Sequence, residues 1–338
     1  MGTIIYPEKL NVGDTIATTA VSMTANLDKI DIAIENLKEL GLKVIETDNV
    51  RKSEGAVSSS GKQRAYELLE LYKNADVKYI IASRGGEFLM EMLPYLDEHR
   101  DVIKNNPKWI QGFSDPSLLN LYITTNFNIA TIHMENISEF AMNPRYKNIQ
   151  DNIDFMFSKE NEFIQESFPK YQKQEFEEGN LKGYNLTEEN AYECDKSNVS
   201  FEGRIIGGCI DTFHLIAGTK MDNVSNFVSQ FDEGVIWYLD NCELNSCEFY
   251  RRLWQMEQMR YFKNVKGFLI GRSMMQNNDN NIYFTFKDAV ERALSKFGVP
   301  IVYNVDIGHI PPQMCIINGS YATFEYKDGK GKLTQKLI

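Results

Sequence analysis

No run of about 18 apolar residues occurs in this chain, so no segment reads as a helix that crosses a bilayer. Positive charge is also short: 36 Lys and Arg against 47 Asp and Glu leave a net charge of −11. That sign is wrong for a general nucleic-acid surface, which must displace phosphate counterions with basic side chains. The opening MGTIIYPEKLNVGD lacks the basic-then-apolar order of a secretory signal and lacks the Ser or Thr at position six that myristoylation needs. Cysteine is sparse and odd in number, at 194, 209, 242, 247 and 315, with no C-x-x-C pair. Free thiols in a reducing cytoplasm are the expectation. The four histidines, at 99, 133, 214 and 309, form no H-E-x-x-H or H-x-H cluster, so a transition-metal site is disfavoured.

What the chain does have is enough apolar residue, 43% of 338, to build large cores, and a length that suggests two domains. The first 135 residues alternate strand-like and helix-like segments. DTIATTAV is β-rich; NLDKIDIAIENLKELG then sets Leu27, Ile30, Ile34, Leu37 and Leu40 on one helical face and ends at Gly41, a favoured helix stop. VKYIIAS is nearly continuous apolar strand, as strands covered on both faces are. KWIQGF and IATIHM supply further strands, with PSLLNLYITTN a helix between them. Such alternation predicts a parallel sheet with right-handed crossovers. From about residue 144 to 201 the chain turns polar and rich in Glu, Lys and Asn, which reads as an exposed connector with one or two helices. A second compact region follows, with strands GVIWYLD, VKGFLIG and PIVYNVD and a helix in SCEFYRRLWQMEQMRYF. MCIINGSYATFEY and GKLTQKLI resemble an antiparallel hairpin at its end. The expected organisation is α/β, with domains at 1–145 and 201–338 joined by 146–200.

Four stretches could carry chemistry. In WIQGFSDPSLL, Ser114 stands where a buried strand breaks into a helix. Serine is a favoured helix cap, but a sharp strand-to-helix bend also exposes a hydroxyl beside unpaired N–H groups. The G-x-S-x-P spacing is near the G-x-S-x-G nucleophile elbow without matching it. SRGGEF ends the preceding strand, and Gly85 and Gly86 would let backbone N–H groups approach a ligand, or simply make a turn. WYLDNCELN places Asp240 at a strand end and Glu243 three residues later; either could orient a histidine, and Asp240 could equally cap the next helix. NVDIGHIPPQ holds His309 in a loop between glycine and prolines, where function concentrates. His99 reads as solvated, His214 as packing, and His133 as a weaker candidate. Serine, acid and histidine thus follow one another in chain order, each at or just past the end of an apolar strand.

These residues resemble the LD-carboxypeptidase family of serine peptidases, which includes the microcin-C self-immunity amidases. LNVGDTIATTAVS, GAVSSSGKQRAYEL, IIASRGGE, GFSDPS, GRIIGGCIDTF, VKGFLIGR and DIGHIPPQMCIINGSYATF carry the likeness in order along most of the chain. The resemblance implies a flavodoxin-like parallel-sheet domain at the N-terminus and a smaller C-terminal α/β domain. It implies Ser114 as nucleophile, His309 as general base and Asp240 as acid, with Glu243 the alternative. It implies an oxyanion hole from the N–H groups of Asp115 and the Gly85–Gly86 turn, no metal or organic cofactor, and a homodimer. The family usually carries glutamate where Asp240 stands, which puts the carboxylate about 1 Å further from the imidazole unless the backbone compensates.

The function expected is cleavage of an amide in a murein tetrapeptide, releasing its terminal D-alanine. The alternative substrate is an aminoacyl or peptidyl nucleotide, toward which the connector and the EGRIIGGCID stretch incline. Arg272 could bind a substrate anion or form a structural ion pair. An α/β-hydrolase shares the order Ser, acid, His, but the second glycine of its elbow is missing here. A noncatalytic binding protein on the same fold is the remaining reading.

Overall fold

The computed structural model describes residues 2–173, 181–275, 281 and 283–338. The first five strands are β1 (Thr15–Thr19), β2 (Lys43–Glu46), β3 (Val77–Ala82), β4 (Trp109–Gln111) and β5 (Thr131–His133). They lie side by side in the order β2-β1-β3-β4-β5, all parallel. This is the flavodoxin-like order, in which ligands bind beyond the carboxyl ends of the strands. The helix Leu27–Glu39 buries Ile30, Ala33, Ile34 and Leu37, the face the sequence periodicity picks out, and Asn26 caps it through Lys29 N–H. Ser60 likewise caps the helix Gly61–Lys73.

The 146–200 region differs from the expected connector. One helix, Lys147–Phe157, is followed by strands β6 (Glu162–Glu166), β7 (Lys170–Gln172) and β8 (Leu186–Glu189). β7 and β8 form a small antiparallel sheet. Residues 174–180 of this region lie outside the described residues. Strands β6, β7 and β8 are only 5, 3 and 4 residues long, too short for a periodicity to stand out, so the polar composition points to a connector with one or two helices instead.

The remaining strands are β9 (Asn198–Cys209), β10 (Val235–Asp240), β11 (Val265–Gly271), β12 (Ile301–Val305), β13 (Ile316–Asn318), β14 (Tyr321–Lys327) and β15 (Lys330–Lys336). Seven strands make a second sheet in the order β12-β11-β10-β9-β14-β15-β6. β9 to β12 run parallel, and β14, β15 and β6 pair antiparallel. The C-terminal hairpin is therefore β14–β15. The short strand before it, β13, pairs instead with β5 and becomes the sixth strand of the first sheet. The helix Pro116–Phe127 is buried along almost its whole length. It packs on β9, where Gly208 leaves room for Ser117: a Cβ there would sit 2.8 Å from that of Ser117. One apolar core runs through both halves, from Ile16 and Ile80 to Trp237, Phe268 and Ile317.

Candidate active site

Ser114 lies three residues beyond the end of β4 and has φ +65°. For a residue with a Cβ this left-handed backbone costs roughly 1–2 kcal/mol. The helix begins at Pro116 with Asp115 in the cap position, and no side chain caps it. Ser114 therefore bends the chain but does not cap the helix with its hydroxyl. That hydroxyl faces the glycine turn: a Cβ on Gly85 would lie 2.8 Å from both Cβ and Oγ of Ser114. Any side chain at position 85 would displace the serine. The N–H groups of Gly85, Gly86 and Asp115 donate no hydrogen bond to the described residues.

His309 comes from the loop after β12. Its ring packs on Phe113, the residue before Ser114, at 5.0 Å between centroids and a 55° tilt. Behind it, Nδ1 lies 2.8 Å from Asp240 Oδ2, with both side chains buried. That distance suits a charge-assisted hydrogen bond from Nδ1–H to the carboxylate. Burial is the largest influence on His309 and opposes its charge, yet Asp240 and the neighbouring Cys242 thiol hold the imidazole pKa well above 6.5. Burial likewise works against the Asp240 carboxylate, and His309 more than offsets it, so the acid is held below its ordinary value. The pair favours an imidazolium facing a carboxylate, the state a general base enters after taking a proton.

Glu243 is exposed. Its charge acts on Glu87 across the rim, and its backbone N–H donates to Asp211 Oδ1 at 2.8 Å. The structure brings Asp240, not Glu243, to the histidine. Arg272 is 4% exposed and bound to Asp306 at 2.7 Å, with further bonds to the carbonyls of Asn304 and Pro312. The structural ion pair is thus the arrangement present, and it braces the segment leading to His309. His133 is fully buried beside Ser117, and burial pushes its pKa down to about 4, so it stays neutral. His99 pairs with Tyr66 at the surface, as a solvated histidine does.

Sequence patterns gave no sign of two supports. Asp115 Oδ2 accepts from Ser22 Oγ at 2.5 Å and from Leu89 N–H at 2.9 Å, tying the loop after β1 to the segment after the glycine turn. Burial raises its pKa to about 6, partly offset by those two bonds. Arg64 is also fully buried and donates to the carbonyls of Val21, Ser59 and Phe88. Only the long-range meeting of these loops reveals either role.

The chain matches the LD-carboxypeptidase N-terminal domain over residues 16–134 and the LD-carboxypeptidase C-terminal domain over residues 202–324. It is 24% identical to the microcin C7 self-immunity protein MccF of Escherichia coli, over 97% of this chain and 95% of that protein. Among solved structures, the MccF-like protein of Bacillus anthracis superposes with a TM-score of 0.81 at 25% identity, covering 98% of this chain and 99% of that one. MccF bound to glutamyl sulfamoyl guanosine gives 0.82 at 21% identity, over 98% and 99%. A muramoyltetrapeptide carboxypeptidase from Oxalobacter formigenes gives 0.73 at 20%, over 95% and 98%. With both halves matched in order, this chain belongs to the LD-carboxypeptidase family of serine peptidases.

Proposed function

We propose that this protein hydrolyses an amide bond through Ser114, His309 and Asp240. The observation that carries the reading is the left-handed Ser114, facing Gly85, with a buried His309–Asp240 pair packed against its neighbour Phe113. Ser114 Oγ attacks the carbonyl carbon while His309 Nε2 takes the hydroxyl proton. N–H groups of Gly85, Gly86 and Asp115 receive the oxyanion. The tetrahedral intermediate collapses, and Nε2 passes its proton to the departing amine. Water then repeats the sequence on the acyl-enzyme and frees Ser114. Asp240 keeps Nδ1 protonated so that Nε2 can accept, and it balances the imidazolium that forms.

The substrate we assign is a murein tetrapeptide, cleaved at its terminal D-alanine, on the strength of family membership. A second reading, an aminoacyl nucleotide, is supported by the closer superposition on MccF than on the muramoyltetrapeptide carboxypeptidase. No helix among the described residues is long and apolar enough to cross a membrane, and all five cysteines are free. On family membership we further propose a homodimer that works on small molecules in the cytoplasm, a compartment in which thiols stay reduced. The test is to offer each substrate to purified protein and weigh the products. Ser114→Ala and His309→Ala should each abolish turnover and fluorophosphonate labelling while the circular dichroism spectrum stays native. Substantial turnover by either variant refutes the assignment.

A further inference from the structure

Cys209, from a third element, meets the Asp240–His309 pair of the triad. Cys209 ends β9, Asp240 ends the adjacent β10, and His309 arrives from the loop after β12. One ligand atom of each lies within 4.8 Å of the other two, and all three residues are buried. At the rim, Cys242 sits beside His309 and its sulfur lies 3.7 Å from Met274 Sδ. His309 Nε2 and Asp240 Oδ1, both buried, have no hydrogen-bond partner among the described residues.

We propose that Cys209, Asp240 and His309 form an inhibitory site for a soft divalent cation of the Zn2+ type. Thiolate, imidazole and carboxylate are the donors such an ion prefers, at about 2.0–2.3 Å. Tetrahedral ligation therefore needs donors roughly 3.3–3.8 Å apart. The cluster is within about an ångström of that at its widest, while the 2.8 Å contact between His309 and Asp240 must open slightly. The charges balance: binding releases two protons, one from the Cys209 thiol and one from the His309 imidazolium, and thiolate plus carboxylate then neutralise a divalent ion in a buried place where net charge is costly. The site is gathered but not preformed, which suits a competing ion better than a resident one.

Its consequence rests on the triad assigned above. An ion on Nδ1 leaves the ring proton on Nε2; an ion on Nε2 occupies the base directly. Either way His309 cannot accept the Ser114 proton. Hard cations, Mg2+ and Ca2+, prefer oxygen ligands and should not compete.

Two readouts test this on the full-length protein. Co2+ added to the wild type should give a thiolate-to-cobalt charge-transfer absorption that is lost in Cys209→Ala. In parallel, fluorophosphonate labelling is measured for each protein with and without Zn2+, so every variant is its own reference. Zn2+ at ten times its dissociation constant should slow wild-type labelling about tenfold. EDTA should reverse the effect, Mg2+ should not reproduce it, and Cys209→Ala should escape it. If Cys209→Ala does not fold, Cys209→Ser removes the soft donor with a smaller change of shape. A cobalt band that survives loss of Cys209 overturns the site, as does its absence in the wild type. A band without slowed labelling overturns the inhibition. If nothing labels even without metal, the serine-hydrolase reading fails, and the cobalt spectra still decide whether the ion binds.

Discussion

Asp240 reaches its histidine because the loop comes to the acid. Gly308, at φ +95°, presses its backbone so closely on the carboxylate that a Cβ there would fall 1.8 Å from Asp240 Oδ1. The missing methylene, relative to the glutamate usual in the family, is made up by this approach of residues 308 and 309. Restoring the longer side chain should therefore harm the enzyme. Asp240→Glu has no room for the extra methylene and should push His309 out of line, lowering kcat about 10²-fold. Asp240→Asn keeps the size but removes the charge and the preferred tautomer, and its loss should be larger, about 10⁴-fold. Glu243→Gln should remain close to wild type. Steady-state kinetics on the three variants check this; a collapse of Glu243→Gln with Asp240→Asn active would make Glu243 the acid.

Between elements, the turn after β3 and the bend after β4 are held in register by Asp115, through Ser22 and Leu89. Its titration gives a stability signature with a definite sign. Burial raises this carboxyl from 3.8 to about 6. Between those values the unfolded chain has lost the proton and the folded one retains it, so folding stability falls as pH rises across the window and levels off above about 6. The full effect is on the order of 3 kcal/mol. Asp115→Asn cannot ionise and should lack this component. Urea unfolding at steps from pH 4 to pH 7 compares the slopes, and identical slopes in the two proteins would refute the assignment. The strands and glycines that flank Ser114 were legible in sequence because SRGGEF and WIQGFSDPSLL carry their own apolar runs and breakers. Ser22 and Arg64 were not, since nothing local distinguishes a serine or arginine that a distant loop will cover.

At the scale of the whole molecule, the first sheet is completed by a strand from the other end of the chain. β13 pairs with β5, and the core passes through both halves without a break. Splitting the chain would expose the β5 edge and the helix Pro116–Phe127, whose buried face rests on β9. We expect one cooperative thermal transition, with near- and far-ultraviolet circular dichroism melting together. Residues 1–145 expressed alone should bind hydrophobic dyes or aggregate. Two separated transitions, or a monomeric native-like 1–145 fragment, would contradict this coupling.

The sequence alone determined the parallel α/β halves, the serine at a strand-to-helix bend, the glycine turn before it and a loop histidine in the second half. Each of these is written in short-range periodicity and in residues that favour a particular backbone shape. Tertiary structure decided that Asp240 and not Glu243 stands beside His309, that Arg272 pairs with Asp306, and that Cys209 meets Asp240 and His309. Those outcomes depend on strand order and on how closely two loops approach. The histidines show no metal spacing along the chain, because the neighbours that matter are set side by side by strand pairing across a sheet.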